Sequence, residues 1–311
     1  MHKTLIDPST LAASLTDPNW IVIDCRFDLT NPSKGEELYG EAHIPGARYA
    51  HLDRHLSGAK TGTNGRHPLP PSDQIVRNFR DLGISPGMQV VAYDEDSGMF
   101  AARLWWMLRW MGHDAVAVLD GGLSRWRREA HPVRGGVELS TPGTFTGEPR
   151  AGWRLSADDV IKDLKNPVRK LVDARSPERF RGIGETLDPV GGHIPGAANY
   201  FFQQNLTAEK TFKSPEDLQT QWGAVLKGTD PKDVVVYCGS GVTACHNLLA
   251  LEHAGLHGVK IAHDMVKEKL MTPEHAIKSG DPEALNQLLQ PIFDTTDYEK
   301  ARKAGRLLAT G

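Results

Sequence analysis

The sequence predicts an α/β protein built from two tandem copies of one domain, each a mainly parallel sheet flanked by helices, followed by a helical tail of different character. Three observations predict it. First, the chain repeats itself. "WIVIDCRFDL" (20–29) returns as "RKLVDARSPERF" (169–180), and "EAHIPGARYAHLD" (41–53) returns as "GGHIPGAANYFFQ" (191–203). "MQVVAYDEDSGMFAARLWWMLRWMG" (88–112) returns as "KDVVVYCGSGVTACHNLLALEHAG" (232–255). Asp173 follows Asp24 by 149 positions, His193 follows His43 by 150 and Cys238 follows Asp94 by 144. Ordered blocks at one near-constant spacing mark a duplication. Second, short β-branched runs lack polar alternation, as strands buried on both faces do. Third, helical stretches separate those runs, which implies a parallel sheet covered on both sides.

Along the first copy (1–133), 21–23 and 90–93 read as strands, and 72–82 and 100–111 as helices. The stretch 131–153, "HPVRGGVELSTPGTFTGEPRAGW", is rich in Gly, Pro and Thr, so 134–153 is expected to be a linker running over the surface. The second copy (154–262) has strands at 171–172 and 234–237 and helices at 156–164, 214–226 and 242–254. Ser72, Ser156 and Ser214 are expected N-caps, with Pro215 at the first helical position. In the tail (263–311), Thr272-Pro273-Glu274 and Asp281-Pro282-Glu283 are helix starts, and Thr296 caps a last helix through Leu308.

A chain of 311 residues has room for two domains with separate cores. Its 39% hydrophobic and 24% charged content describe a soluble globular protein, and no apolar stretch reaches the roughly 18 residues that span a bilayer. The amino terminus, "MHKTLIDPSTLAASL", has no basic region followed by an apolar segment, so no secretory signal is expected. A net charge of −3 with dispersed basic residues argues against nucleic acid or an anionic membrane as partner. Three cysteines make no disulfide framework and suit a reducing compartment, the cytoplasm. The histidines are read as forming no His-x-x-x-His pair and no Cys/His cluster, so no metal and no cofactor are expected.

"VVVYCGSGVTAC" (234–245) places Cys238 where a strand stops and a glycine-broken loop leads into a helix. Gly239 and Gly241 let successive backbone N–H groups converge, and the following helix adds the positive end of its dipole. Together these would favour an anionic, nucleophilic sulfur at Cys238. Cys25, in a strand, and Cys245, in a helix, read as buried packing residues. Three chemistries use a cysteine on such a loop. A phosphatase wants an arginine six positions on, where Ala244 stands, and a dithiol redox site wants a second cysteine at Gly241. A single sulfur that accepts a group and passes it on remains.

"CGSGVTA" after a strand, the paired "HIPGA" segments, "DAR" (173–175) and "LDGGLSRW" (119–126) resemble the tandem-domain rhodanese-type sulfurtransferases over residues 1 to 261. The resemblance implies two rhodanese-like domains. In that family the second-domain cysteine takes sulfane sulfur from a small donor as a persulfide and gives it to a thiol or cyanide. The thiol can be thioredoxin or a low-molecular-weight thiol. Asp94 stands where the first copy would carry that cysteine, and the acidic loop "DEDSGMF" (94–100) would disfavour an ionised thiol there. Gly239–Ser240 matches members that use 3-mercaptopyruvate, whereas members that use thiosulfate carry basic residues at those positions. Ser240 would then polarise the donor, Asp53 and His67 would complete a proton relay with it, and Arg179 would hold the donor carboxylate. Gly239, Gly241, Val242 and Thr243 would form the rest of the donor-binding loop. Arg175 reads as structural, tying strand to loop.

Two features depart from the family. Mercaptopyruvate users carry a second carboxylate-binding arginine further along the loop after Arg179, but "GIGETLDPVGG" (182–192) has none. The tail also stands where a closing Gly-Ser-Trp turn is expected. The resemblance therefore leaves three readings: a 3-mercaptopyruvate sulfurtransferase, a thiosulfate sulfurtransferase, and a low-turnover sulfur carrier.

Overall fold

The structure is a computed structural model that describes residues 1–62, 64–139, 141–165, 167–188 and 191–262, all within one compact unit. The tail expected to be helical (263–311) lies outside the described residues.

In the first copy β1 (Leu5–Ile6) leads into α1 (Pro8–Ser14), β2 (Trp20–Asp24), α2 (Lys34–Glu41), β3 (Arg48–Tyr49) and α3 (Leu52–His55). The copy continues through α4 (Ser72–Asp81), β4 (Gln89–Tyr93), α5 (Ala101–Trp110), β5 (Val116–Leu119) and α6 (Gly122–Arg128). The second copy runs β6 (Arg154–Leu155), α7 (Ala157–Lys165), β7 (Lys170–Asp173), α8 (Pro177–Phe180) and β8 (Ala198–Asn199). It ends with α9 (Pro215–Leu226), β9 (Val234–Tyr237), α10 (Thr243–His253) and β10 (Lys260–Ala262). Each copy makes one five-stranded parallel sheet, in the orders β1-β5-β4-β2-β3 and β6-β10-β9-β7-β8. These are the same topology written twice, so the duplication seen in the sequence is a duplication of fold.

The unalternated strands are buried on both faces, as expected. Ile21, Ile23, Val90 and Ala92 face a core that both copies share, while Val22, Val91 and Tyr93 face a separate core on the outer side of the first sheet. Leu171, Val235 and Tyr237 do the same for the second sheet. The shared core forms because α5 packs directly on α10. Nearly every residue of both helices is buried. Polar contacts fix the register across that boundary: Phe212 N donates to Asp120 Oδ1 (2.8 Å), and His246 Nε2 pairs with Ser97 O (2.9 Å).

The linker stretch is anchored to the first copy. Phe145 is fully buried edge-on against Phe79, with ring centroids 5.1 Å apart, and Arg150 forks onto Asp114 at 2.7 and 2.8 Å. Ser214 caps α9 by accepting from Asp217 N, with Pro215 at the first position, and Ser156 Oγ accepts from Asp159 N. Ser72 is not a cap. Pro71 takes that place and Ser72 is the first helical residue, because the proline before it already holds extended backbone without needing a side-chain acceptor. Cys25 sits one residue beyond β2 rather than inside it, donating its N–H to Tyr93 O at 2.7 Å.

Candidate active site

β9 is the central strand of the second sheet, and Cys238 is the first residue past its C-terminal end, only 6% exposed. The carboxyl edge of a parallel sheet is where loops and helix N-termini gather, so a group placed there meets both. The chain reverses at Gly241, whose φ of +73° belongs to the left-handed region that glycine adopts at low cost. That conformation aims the Gly241 N–H at Cys238 Sγ, 3.1 Å away. Gly241's carbonyl points the other way and accepts from Cys245 Sγ (3.1 Å) and Arg103 Nη1 (3.2 Å). Val242 is buried and Ser240 and Thr243 are half-buried, with α10 starting at Thr243. Burial pushes the Cys245 thiol up to about 12, leaving it a neutral donor to the loop. Cys25 is also raised by burial, and then by Asp24 and Asp94.

The first copy keeps the same corner with a different anion. Asp94 follows β4 and accepts from the N–H groups of Gly98 (2.8 Å), Phe100 (2.8 Å) and Ala101 (3.3 Å). Burial outweighs those amides and raises its carboxyl to about 6. The acidic sequence of that loop therefore conceals a convergent-amide cradle, which the side chain at position 94 fills itself.

Asp53, in α3, and His67 come from the first copy and stand together, with His67 Nε2 3.6 Å from Asp53 Oδ1. Lys60 Nζ reaches the same oxygen at 3.0 Å. Burial lowers His67 to about 4; Asp53 opposes the shift, and Arg103, Lys60 and Arg66 reinforce it. The imidazole is therefore neutral at neutral pH, with a buried Nδ1 that has no hydrogen-bond partner among the described residues. Arg103 connects this pair to the cysteine loop. Fully buried, it donates to His67 O (3.2 Å) and Leu56 O (3.2 Å) as well as to Gly241 O.

Arg179, in α8, is joined to the same loop through Asp188, which lies against Gly239, and is already engaged. Its Nε donates to Glu185 Oε2 (2.9 Å) and its Nη2 to Asp188 Oδ2 (2.7 Å). Asp188 also accepts from Arg66 Nε at 2.8 Å, a contact between the two copies. Gly239 closes the group from below: a Cβ there would lie 2.8 Å from Arg66 Nη2 and would collide with Asp188 as well. Arg175 grips Asp173 through Nε (3.1 Å) and Nη2 (2.7 Å) and donates to Gly192 O, holding strand end and loop together. Arg26 does the same for Asp24 and Ala42 O in the first copy.

The sequence reading passed over Arg103, Arg66, Glu185 and Asp188. An arginine at the third position of the apolar helix "AARLWWMLRW", flanked by Ala102 and Leu104, was a signal for Arg103, since a charge is buried only where it is paired or solvated by carbonyls. The spacing of histidines also needs correction. His51 and His55, four residues apart, have a metal-site interval, but His51 Nδ1 accepts from Asp53 N and Arg54 N, while His55 Nδ1 accepts from His51 N. Their nitrogens cap α3 instead.

Comparison with known proteins agrees with the two-domain fold. The rhodanese-like domain family matches twice, over residues 7–129 and 156–264. A probable 3-mercaptopyruvate sulfurtransferase from Pseudomonas aeruginosa is 42% identical over 279 residues, covering 89% of this chain and 98% of that one. Bovine thiosulfate sulfurtransferase is 31% identical over 272 residues, covering 84% and 90%. Among solved structures, 3-mercaptopyruvate sulfurtransferase from Leishmania major superposes with a TM-score of 0.77 at 29% identity, covering 86% of this chain and 74% of that one. Two rhodanese domains with one sheet topology, one ending in a loop cysteine and the other in a carboxylate, identify the chain as a member of the rhodanese-type sulfurtransferases.

Proposed function

We propose that the protein moves sulfane sulfur from 3-mercaptopyruvate to a thiol or cyanide through a persulfide on Cys238. The observation that carries this reading is the Gly241 N–H directed at Cys238 Sγ (3.1 Å) from a glycine loop at the start of α10. An amide donor and a helix N-terminus both stabilise an anion on that sulfur. The thiolate attacks the donor's sulfur. A Cys–S–S bond forms as the donor's C–S bond breaks, and the electron pair leaves on carbon as the enolate of pyruvate, which takes up a proton. The acceptor thiolate then attacks the outer sulfur and releases Cys238 as thiolate, so charge and electrons balance over both halves.

In this reading Arg179 orients the donor carboxylate and Ser240 polarises its carbonyl. Asp53 and neutral His67 relay the proton, with Gly239, Gly241, Val242 and Thr243 shaping the loop. The Gly239–Ser240 pair after Cys238, which carries no basic residue, supports mercaptopyruvate over thiosulfate as donor. The acceptor is a small thiol or thioredoxin. Among the described residues no helix is long and apolar enough to cross a membrane, and the three free cysteines favour a cytoplasmic setting, which fractionation of the native host tests.

Intact-mass spectrometry after incubation with each donor tests the reading. The wild-type protein and the Cys25→Ser and Cys245→Ser variants should each gain one sulfur atom from 3-mercaptopyruvate, and Cys238→Ser should gain none. Sulfur loading in Cys238→Ser would overturn the mechanism. Loading by thiosulfate alone would overturn the choice of donor, and loading without steady-state turnover would make the protein a carrier.

A further inference from the structure

The loop after Arg179 lacks the second arginine that mercaptopyruvate users carry there, yet two guanidiniums meet over the cysteine loop. Arg66 and Arg179, from different copies, grip one carboxylate from its two sides: Arg66 Nε on Asp188 Oδ1 at 2.8 Å, Arg179 Nη2 on Asp188 Oδ2 at 2.7 Å. The carboxylate is 3% exposed, whereas Arg66 and Arg179 are 25% and 22% exposed. The shared anion is therefore buried while both guanidiniums still reach solvent. The grip lies against the cysteine loop, because Arg66 Nη2 would stand 2.8 Å from a Cβ on Gly239, the residue after Cys238. Arg66 also precedes His67 directly, so one short segment of the first copy carries both.

We propose that Arg66 is the second arginine of the donor-carboxylate site, acting with Arg179, and that Asp188 is an internal carboxylate which the donor displaces. This rests on the reading of Cys238 as the sulfur acceptor. A carboxylate bridging two arginines has the geometry of a bound carboxylate ligand. Exchanging Asp188 for the donor's carboxylate leaves both guanidiniums paired during binding. It also makes recognition selective. A donor without a carboxylate cannot replace the charge-assisted bonds it breaks.

The test compares alkylation of Cys238 by iodoacetate, which carries a carboxylate, and iodoacetamide, which does not. Their rate ratio reads carboxylate recognition without any sulfur transfer, and KM and kcat for 3-mercaptopyruvate are measured alongside. Arg66→Ala should lower the iodoacetate-to-iodoacetamide ratio about tenfold and raise KM by a similar factor with little change in kcat. Arg66→Lys should recover part of the loss, and Asp188→Asn should raise the ratio by removing the competing charge. An unchanged ratio in Arg66→Ala would make Arg66 a purely structural partner of Asp188. A lower ratio in Asp188→Asn would show that Asp188 supports the site rather than competes for it. Should wild type not turn over 3-mercaptopyruvate at all, the donor assignment fails while the alkylation ratio still judges the two arginines.

Discussion

Arg103→Met removes a single side chain on which the candidate site and the contact between the copies both depend. Arg103 is fully buried and, among the described residues, donates to the carbonyls of Leu56, His67 and Gly241 at 3.2–3.4 Å. A methionine of similar length fills the space but leaves those oxygens without their charged donor. Stranding a buried acceptor costs about 1–3 kcal/mol each, and relief of the buried guanidinium's desolvation offsets part of the sum. A net loss of about 3 kcal/mol follows, which for a chain of 311 residues lowers Tm by about 5 °C. Function should fall further than stability. Gly241 presents its N–H to Cys238 Sγ, and its carbonyl, on the other side of the same α-carbon, is held by Arg103. Freeing it should lower kcat by about tenfold or more at a temperature where the variant is fully folded. Arg103→Lys keeps the charge but not the fork, and should fall between the two. Thermal melts together with steady-state kinetics decide the matter. If Arg103→Met melts within a degree or two of wild type and turns over normally, the carbonyl bridge does not organise the loop.

Arg179→Ala should reduce catalytic efficiency with 3-mercaptopyruvate by about ten- to a hundredfold and with thiosulfate by less, so the ratio of the two efficiencies is the readout. A ratio that stays constant would remove Arg179 as the carboxylate clamp. His246 gives an acid-stability prediction. With its proton on Nε2 donating to Ser97 O (2.9 Å), Nδ1 accepts from Asn205 Nδ2 (3.2 Å), and a second proton would set donor against donor. Burial lowers its pKa from 6.5 to about 4, so the unfolded chain takes up a proton that the native one refuses as pH falls from 6.5 to 4. Stability is thus full above pH 6.5 and declines below it, by about 2 kcal/mol at pH 5 from this group. His246→Gln keeps a donor and an acceptor without titrating, so its urea midpoint should fall less than wild type's between pH 7 and pH 5. Parallel declines would refute this.

The repeat and the β-branched runs carried the fold, because burial on both faces of a parallel sheet leaves a signature in one strand read alone. The strand at Val234–Tyr237 agrees residue for residue, and the longer helices agree within a residue or two. Two-residue strands such as Leu5–Ile6 and Ala198–Asn199, and the helix Leu52–His55, were not legible, since two to four residues hold no period. Cys238 was legible from local chemistry, a cysteine beside glycines at a strand end. Arg66, Arg103, Glu185 and Asp188 were not, since their partners lie on other segments. The Arg66–Asp188 contact joins positions 122 residues apart, and no spacing rule reaches that far.

Among the contacts between the two copies, one runs each way between the loops and helices that follow β4 and β9, and it ties the copy without a cysteine to the candidate site. Arg103, nine positions past Asp94, reaches from α5 to Gly241 O in the second loop. His246, eight positions past Cys238, reaches from α10 to Ser97 O in the first. The arrangement is a near-twofold swap across the packed helices α5 and α10. In the first copy Asp94 occupies the amide cradle, so that loop is held rigid by its own carboxylate and needs no ligand to be ordered. A rigid first loop gives α5 a fixed start, and a fixed α5 places the Arg103 guanidinium under Gly241. The carboxylate that stands in one copy where the other has its cysteine thereby helps aim the amide at that cysteine.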